Sequence, residues 1–402
     1  MKDLLYPNFS FQITYRAKGS LARLGSLRTP HGSVETPNFI FCATKGAMKS
    51  VTTQQMREAG AEIILSNTYH LLLRPGGDVI ERWGGLHHML DWQGPILTDS
   101  GGFQIFSLGH GGVAHEIKGN RSSGMNYPKT LIKIEEEGAV FRSYVDGQLQ
   151  RLTPEMVIET QRKLGADLVL ALDECTAFHM EKSETERSME RSHRWEDRSL
   201  AAFQKSHDGR QALYGIVQGG IYEDLRERSG YYTANRPYFG QAIGGSLGQS
   251  AEQMHEVVAM TCQYLHPERP THLLGIGGAH DIWNGVAYGI DTFDCVHPTR
   301  IARHGVALVH PSVADGKESL NLKNHRFAQE DIPLEMECPC YSCRHFTRSY
   351  LHYLFQAHES LGGQLLTIHN VSFMARLMHH IRASLREDRF AEARAAWQRE
   401  KI

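Results

Sequence analysis

The chain has 402 residues, 41% of them hydrophobic, and its 43 basic residues against 45 acidic ones leave a net charge of -2. Such a length and apolar content point to a globular chain with a substantial core, either one large α/β barrel or two modest domains. The balanced charge excludes a broadly basic nucleic-acid binder, so any RNA partner must be held by local basic groups. No apolar run approaches the roughly 18 to 20 residues of a membrane span, and no membrane association is expected. The start MKDLLYPNFS lacks the apolar core of a signal peptide. Seven cysteines, three of them between Cys338 and Cys343, fit a reducing compartment. A cytoplasmic protein is expected.

Taken in order, residues 9 to 40 hold the extended run F-S-F-Q-I-T-Y and segments broken at T-P-H-G-S and E-T-P. They predict a small antiparallel lid ahead of the main repeat. Strand and helix signals then alternate. Short apolar runs recur at Phe39 to Ala43, Ile63 to Leu65, Ile96 to Thr98, Leu168 to Leu172, Leu213 to Val217, Phe239 to Ile243, His272 to Gly275 and Thr292 to Asp294. Between several of them lie helix signals. Thr52 with Gln55 is a capping box for a helix closing near Gly60, and Thr153 with Pro154 starts one ending at Gly165. Ser250 with Gln253 starts a third, to about Leu265.

Eight parallel strands with intervening helices predict a (β/α)8 TIM barrel spanning about residues 12 to 310. A doubly wound sheet would alternate similarly but would not readily take eight strands ending in polar or glycine-rich turns. Those ends read D-S-G-G-F-Q at Asp99, L-D-E-C at Asp173, V-Q-G-G at Gln218, I-G-G at Gly244, G-I-G-G at Gly275 and F-D-C at Asp294. Barrel enzymes place their chemistry on that face. Residues 107 to 151, with F-R-S-Y-V-D-G-Q-L, predict a hairpin excursion near the mouth. Residues 177 to 210 are dense in charge and predict an exposed helix with a solvated amphipathic face.

Two clusters carry chemistry. In D-T-F-D-C-V-H-P-T-R-I-A-R, Asp294 ends a strand, Pro298 stops it, and Arg300 and Arg303 follow where phosphates could be gripped. The alternative is a solvated strand end with ordinary surface charge. Farther on, C-P-C-Y-S-C supplies Cys338, Cys340 and Cys343, and His369 follows in L-L-T-I-H-N after a helical stretch from Arg348 to Leu361. Three thiolates and an imidazole match a closed, structural zinc site, one ion per chain, in a zinc-binding subdomain at about 311 to 370. Free thiols, or a disulfide with a spare, are the other reading. Helices at about 346 to 395 are expected to close the barrel, in one domain over residues 1 to 402.

Together D-S-G-G-F-Q, V-Q-G-G, F-D-C-V with P-T-R, C-x-C-x-x-C and L-L-T-I-H-N resemble the tRNA-guanine transglycosylase family, also called queuine tRNA-ribosyltransferases. The resemblance runs from about residue 12 to about residue 385 and is to the bacterial-type catalytic chain. It implies a zinc-bearing barrel that exchanges guanine at the tRNA wobble position for a 7-deazaguanine base, queuine or preQ1. The exchange is a double displacement through a covalent enzyme-RNA intermediate. Family members commonly dimerise near the zinc region, so a homodimer is expected.

By resemblance Asp294 is the nucleophile and Asp99 the general acid and base. The turn Asp99, Ser100, Gly101, Gly102 and Phe103 lines the base pocket. Asp173 accepts from the base, Gln218 and the Gly245 N–H donate to its O6, and Phe103 and Leu274 stack on its faces, Leu274 standing where Met is frequent. RNA contacts are implied for Gly275, Ile276, Gly277, Gly278, Ala279, His280 and Asp281, where the family's lysine and proline are missing. They are also implied for Thr299, Arg300, Ile301, Ala302 and Arg303. The loop Gly244 to Ser250 reads G-G-S-L-G-Q-S and lacks the glutamate that helps bacterial members receive the ammonium of preQ1. Queuine is therefore expected to be accepted at least as well as preQ1. Two alternatives differ in class. A non-catalytic RNA-binding partner subunit would have lost Asp99 and Asp294, and the archaeal branch carries further C-terminal RNA-binding domains.

Overall fold

The computed structural model describes residues 6–105, 130–177 and 180–400. Three strands, β1 (Ser10–Arg16), β2 (Arg23–Thr29) and β3 (Gly32–Thr36), form an antiparallel sheet. β4 (Asn38–Cys42), β5 (Ile64–Ser66) and β6 (Ile96–Thr98) then begin a parallel barrel, and an excursion follows as β7 (Leu131–Ile134), β8 (Ala139–Arg142) and β9 (Leu149–Leu152). The barrel resumes with β10 (Leu168–Leu170), β11 (Ala212–Val217), β12 (Gly240–Ile243), β13 (Thr271–Leu273) and β14 (Thr292–Cys295). β14 pairs with β4 and β6 with β10, so the sheet closes on itself. All eight apolar runs predicted as strands are barrel strands. They are buried on both faces, as parallel strands under a ring of helices must be, which is why they read as unbroken apolar runs.

The helix starts follow local chemistry. Thr52 and Gln55 close a reciprocal capping box ahead of Thr53–Glu58, and Thr153 caps Pro154–Leu164, which ends at Gly165 with φ 70°. Ser250 caps Ala251–Cys262, but the Gln253 amide oxygen turns back to Gln249 N–H. That helix stops short of Leu265 because its end tightens. Gln263, Tyr264 and Leu265 each donate three residues back.

The N-terminal sheet lies over the amino-terminal end of the barrel, opposite the polar strand ends. Buried Arg23 donates from Nε to Asp291 Oδ1 at 2.9 Å, and Asp291 Oδ2 also receives Thr271 N–H at 2.7 Å, just where β13 and β14 begin. His31 Nδ1 lies 2.7 Å from Asp167 Oδ1, while Asp167 Oδ2 receives Ile96 N–H at 2.9 Å and faces His87 Nε2 at 3.1 Å. Both carboxylates are thereby engaged as clamps between the sheet and the strand starts.

Three expectations change. The excursion carries three strands where a hairpin was predicted, the residues 106–129 lying outside those described. The charged segment forms the helix Lys182–Ser206, the crossover between β10 and β11, and only one of its faces is solvated. Its inner face holds strand ends: Leu172 N–H donates to Ser199 Oγ, Glu174 N–H to Ser192 Oγ and Ile216 N–H to Glu196 Oε1. The stretch expected as one helix from Arg348 to Leu361 is broken by His358 at φ 58° into Arg348–Gln356 and the 27-residue helix Ser360–Arg386. No described helix is long and apolar enough to cross a membrane.

Candidate active site

Each barrel strand hands its next residues to one mouth, so side chains distant in sequence meet there. Asp294, in β14, is 8% exposed. Its Oδ1 accepts from Gly275 N–H at 3.0 Å, and its Oδ2 faces the Cys42 thiol at 3.6 Å. Asp99, following β6, accepts from Thr68 N–H at 2.9 Å and from the Asn67 amide. Burial pushes its carboxyl up to about 7 despite the Thr68 hydrogen bond, and the negative charges of Asp294 and Asp173 add to the shift. A carboxyl poised near neutrality can give a proton and take one back.

Asp173, beyond β10, accepts from Ser100 Oγ at 2.9 Å and from Gln218 Nε2 at 2.6 Å. Burial pushes it up to about 6 against those two hydrogen bonds. Gly102 N–H donates to Ser100 Oγ at 3.2 Å, and a Cβ on Gly102 would overlap Asp173. Gly245 has φ 83°, and a Cβ there would overlap Gln218 Oε1, so both positions require glycine. Gln218 Oε1 and Ser246 Oγ are buried without a hydrogen-bond partner, unused polar capacity of the kind a ligand satisfies. Phe103 is at the rim, 40% exposed, and Leu274 is half-buried beside Gly244.

The segment Gly275 to Asp281 runs from the mouth into the helix Ala279–Ala287, with Gly275 exposed, Gly277 and Ala279 buried, and Asp281 3.2 Å from His255 Nε2. Ile276, Gly278 and His280 are half-buried. Thr299 to Arg303 lie in the helix His297–Arg303. There Thr299 and Ala302 face inward, Ile301 is half-buried, Arg300 is exposed, and Arg303 is half-buried with its guanidinium donating to Thr299 O at 2.8 Å.

Sequence reasoning missed four contributors. Asn67 and Cys42 end strands as the recognised residues do, so their position was the available signal. His272 was hidden inside an apolar run. Arg226 sits in a charged helix, yet it is wholly buried. It donates to the carbonyls of Val217 and Gly244 at 3.0 Å, Gly220 at 2.7 Å and Ser246 at 3.4 Å, fixing the turns after β11 and β12.

Away from the mouth, Cys338, Cys340, Cys343 and His369 form a buried group that could hold a metal ion. His369 Nδ1 lies 3.7, 3.6 and 3.3 Å from the three sulfurs, and its Nε2 donates to Leu308 O at 2.7 Å, which orients the ring. Three sulfurs and one imidazole nitrogen within reach of one point, all buried, fit a closed tetrahedral ion. The cysteines are not paired as disulfides.

A (β/α)8 barrel with three carboxylates in one mouth and a separate Cys3His group able to hold a metal ion defines a class of barrel proteins with an acidic pocket. Comparison narrows the class. A family model described as queuine tRNA-ribosyltransferase matches residues 18–401. A queuine tRNA-ribosyltransferase of Roseiflexus sp. (strain RS-1) is 47% identical over 96% of this chain and 98% of its own length. Those of Synechococcus elongatus and Protochlamydia amoebophila are 42% and 41% identical, over 97% and 94% of this chain and 94% and 96% of their own lengths. The chain belongs to the queuine tRNA-ribosyltransferase family.

Proposed function

We infer that the protein is a tRNA-guanine transglycosylase, exchanging guanine at the wobble position of tRNA for a 7-deazaguanine base. The observation that carries this reading is the convergence on one pocket of two differently prepared carboxylates. Asp294 is held by Gly275 N–H at the end of a strand, and Asp99 is shifted toward neutrality. In the first displacement Asp294 bonds the ribose C1′ as the C1′–N9 bond breaks, and Asp99 protonates the departing guanine. In the second, Asp99 takes a proton from the incoming base, whose nitrogen bonds C1′ as the ester to Asp294 breaks. Asp173, Gln218 and the Gly245 N–H read the guanine-type edge, and Phe103 and Leu274 cover its faces. The target nucleotide must leave its stack to reach such a pocket, and Arg300 and Arg303 beside the mouth suit the displaced backbone. The retained Asp99 and Asp294 disfavour a non-catalytic partner subunit.

The Cys3His group is read as a structural zinc site. Bound there, the ion would cross-link the C-terminal segments and take no part in the displacement. A homodimer formed through the adjoining face is supported by its exposed aromatic surface. Tyr341 and Tyr353 are 55% and 60% exposed, Met336 is 76% exposed, and Phe346 and Tyr350 stack at 5.3 Å.

The pocket loop supports acceptance of queuine at least as well as preQ1. Gln249 and Ser250 bring no carboxylate, Gly248 brings no side chain, and the Ser246 carbonyl already faces Arg226. Displacement of labelled guanine from tRNA by the two bases in competition tests both levels. Exchange with either base supports the transglycosylase reading, and a clear preference for preQ1 with queuine excluded overturns the base preference. Asp294→Asn is expected to fold but to form no covalent RNA adduct on denaturing gels. An adduct at near wild-type yield would remove Asp294 from the nucleophile's role.

A further inference from the structure

Below the pocket lies an imidazole for which the two-carboxylate chemistry has no role. His272, in β13, is wholly buried. Its backbone pairs with Thr292 of β14, so the two side chains share a face of the sheet, and Asp294, two residues on, shares it too. Nδ1 is 2.9 Å from Thr292 Oγ1, and Nε2 is 3.2 Å from Asp294 Oδ1.

A buried imidazole is costly unless both ring nitrogens have partners, and the partners here dictate the tautomer. An ionised carboxylate only accepts, so the hydrogen facing Asp294 belongs on Nε2. Nδ1 of the neutral ring then accepts, and the rotatable Thr292 hydroxyl supplies that hydrogen. The Nε2–H is not yet in line with Oδ1, a slack that catalytic contacts commonly lose once substrate is bound. The two oxygens of Asp294 are therefore unequal. Oδ1 faces the Gly275 N–H and His272, whereas Oδ2, among the described residues, faces the weak thiol donor of Cys42.

We propose that His272 is a positioning residue for the nucleophile: with its ring oriented by Thr292 at Nδ1, it holds Asp294 Oδ1 and leaves Oδ2 as the attacking atom. The inference rests on the reading of Asp294 as nucleophile. In the first displacement Oδ2 bonds C1′, the C1′–N9 electron pair leaves with the base, and Oδ1 becomes the ester carbonyl oxygen. In the second, the incoming nitrogen bonds C1′, and the Oδ2–C1′ pair returns to the carboxylate. His272 keeps its proton throughout. In the first displacement its donor acts by aiming Oδ2 at C1′.

The test compares wild type with His272→Leu, His272→Gln and Thr292→Val, reading single-turnover formation of the covalent adduct on guanine-bearing tRNA, kcat and KM for guanine exchange, and thermal melting. His272→Leu is expected to slow adduct formation roughly 10- to 100-fold, with KM for tRNA changed by less than about twofold. His272→Gln, whose amide can donate to the same oxygen, should recover most of the rate, and Thr292→Val should fall between. A wild-type rate in His272→Leu, or equal losses in the Leu and Gln variants, overturns the proposal. If His272→Leu does not fold, Thr292→Val decides, and a wild-type rate there overturns it. Wild-type protein that forms no adduct at all overturns the nucleophile reading instead, so the two failures are distinguishable.

Discussion

Asp99 shares its pocket with Asp173 and Asp294, and burial together with their charge lifts its carboxyl from an ordinary 3.8 to about 7. The lift has a stability consequence with a definite sign. Between those values the folded chain binds a proton that the unfolded chain releases, so stability present at low pH is lost as pH rises through about 7. Asp173 acts in the same direction. Asp99→Asn, permanently neutral, is expected to melt above wild type near pH 8. The gap should close toward about pH 4, where both side chains are uncharged, and melting curves across that range check it. The recognised pocket residues were legible because they lie at or just beyond the ends of short apolar runs, where a barrel exposes its chemistry. His272 was not legible, since one polar letter in T-H-L-L reads as a satisfied core residue, and its partner lies twenty residues away on the next strand.

At the scale of elements, barrel strands were the most legible and the helix Lys182–Ser206 the least. Charged letters dominate that helix, and its inner face interleaves Met189, Trp195, Leu200 and Phe203 with Ser188, Ser192, Glu196 and Ser199, so polar letters interrupt its apolar periodicity. Small hydroxyls were used because the face must bond the backbone amides of Leu172 and Glu174, just beyond β10. Glu196 shows the cost of breaking this arrangement. Burial raises its carboxyl well above the ordinary range, and it accepts from Ile216 N–H at 2.8 Å. Glu196→Ala would leave that buried amide unpaired, with an expected loss of about 1–3 kcal/mol. Glu196→Gln keeps an acceptor and should lose little. Urea unfolding of the two variants distinguishes an acceptor from a charge.

For the molecule as a whole, the parallel barrel and the Cys3His group were readable from strand count and thiol spacing. The placement of the N-terminal sheet was not. Its clamps join residues as far apart as Arg23 and Asp291, and nothing local to either tells which end of the barrel they close. The proposed zinc is expected at one ion per chain by elemental analysis. Its removal should unfold the C-terminal part, because the four ligands bury a core that includes Leu334, Leu351 and Leu366.

Consecutive residues of one helix join that core to the mouth. His369 faces the thiols, while Asn370 donates to Pro298 O at 2.8 Å and Val306 O at 3.1 Å and receives Leu308 N–H at 2.8 Å. Pro298 opens the helix that carries Arg300 and Arg303, directly after the strand of Asp294. Such a connection has to work in both directions. If an ion at the thiols steadies the segment proposed to grip RNA, bound RNA must tighten the ion by the same factor, for coupling free energies are reciprocal. Zinc release to a chelator should therefore slow when tRNA is bound, and release equally fast with and without tRNA would show that the two ends of the connection act independently.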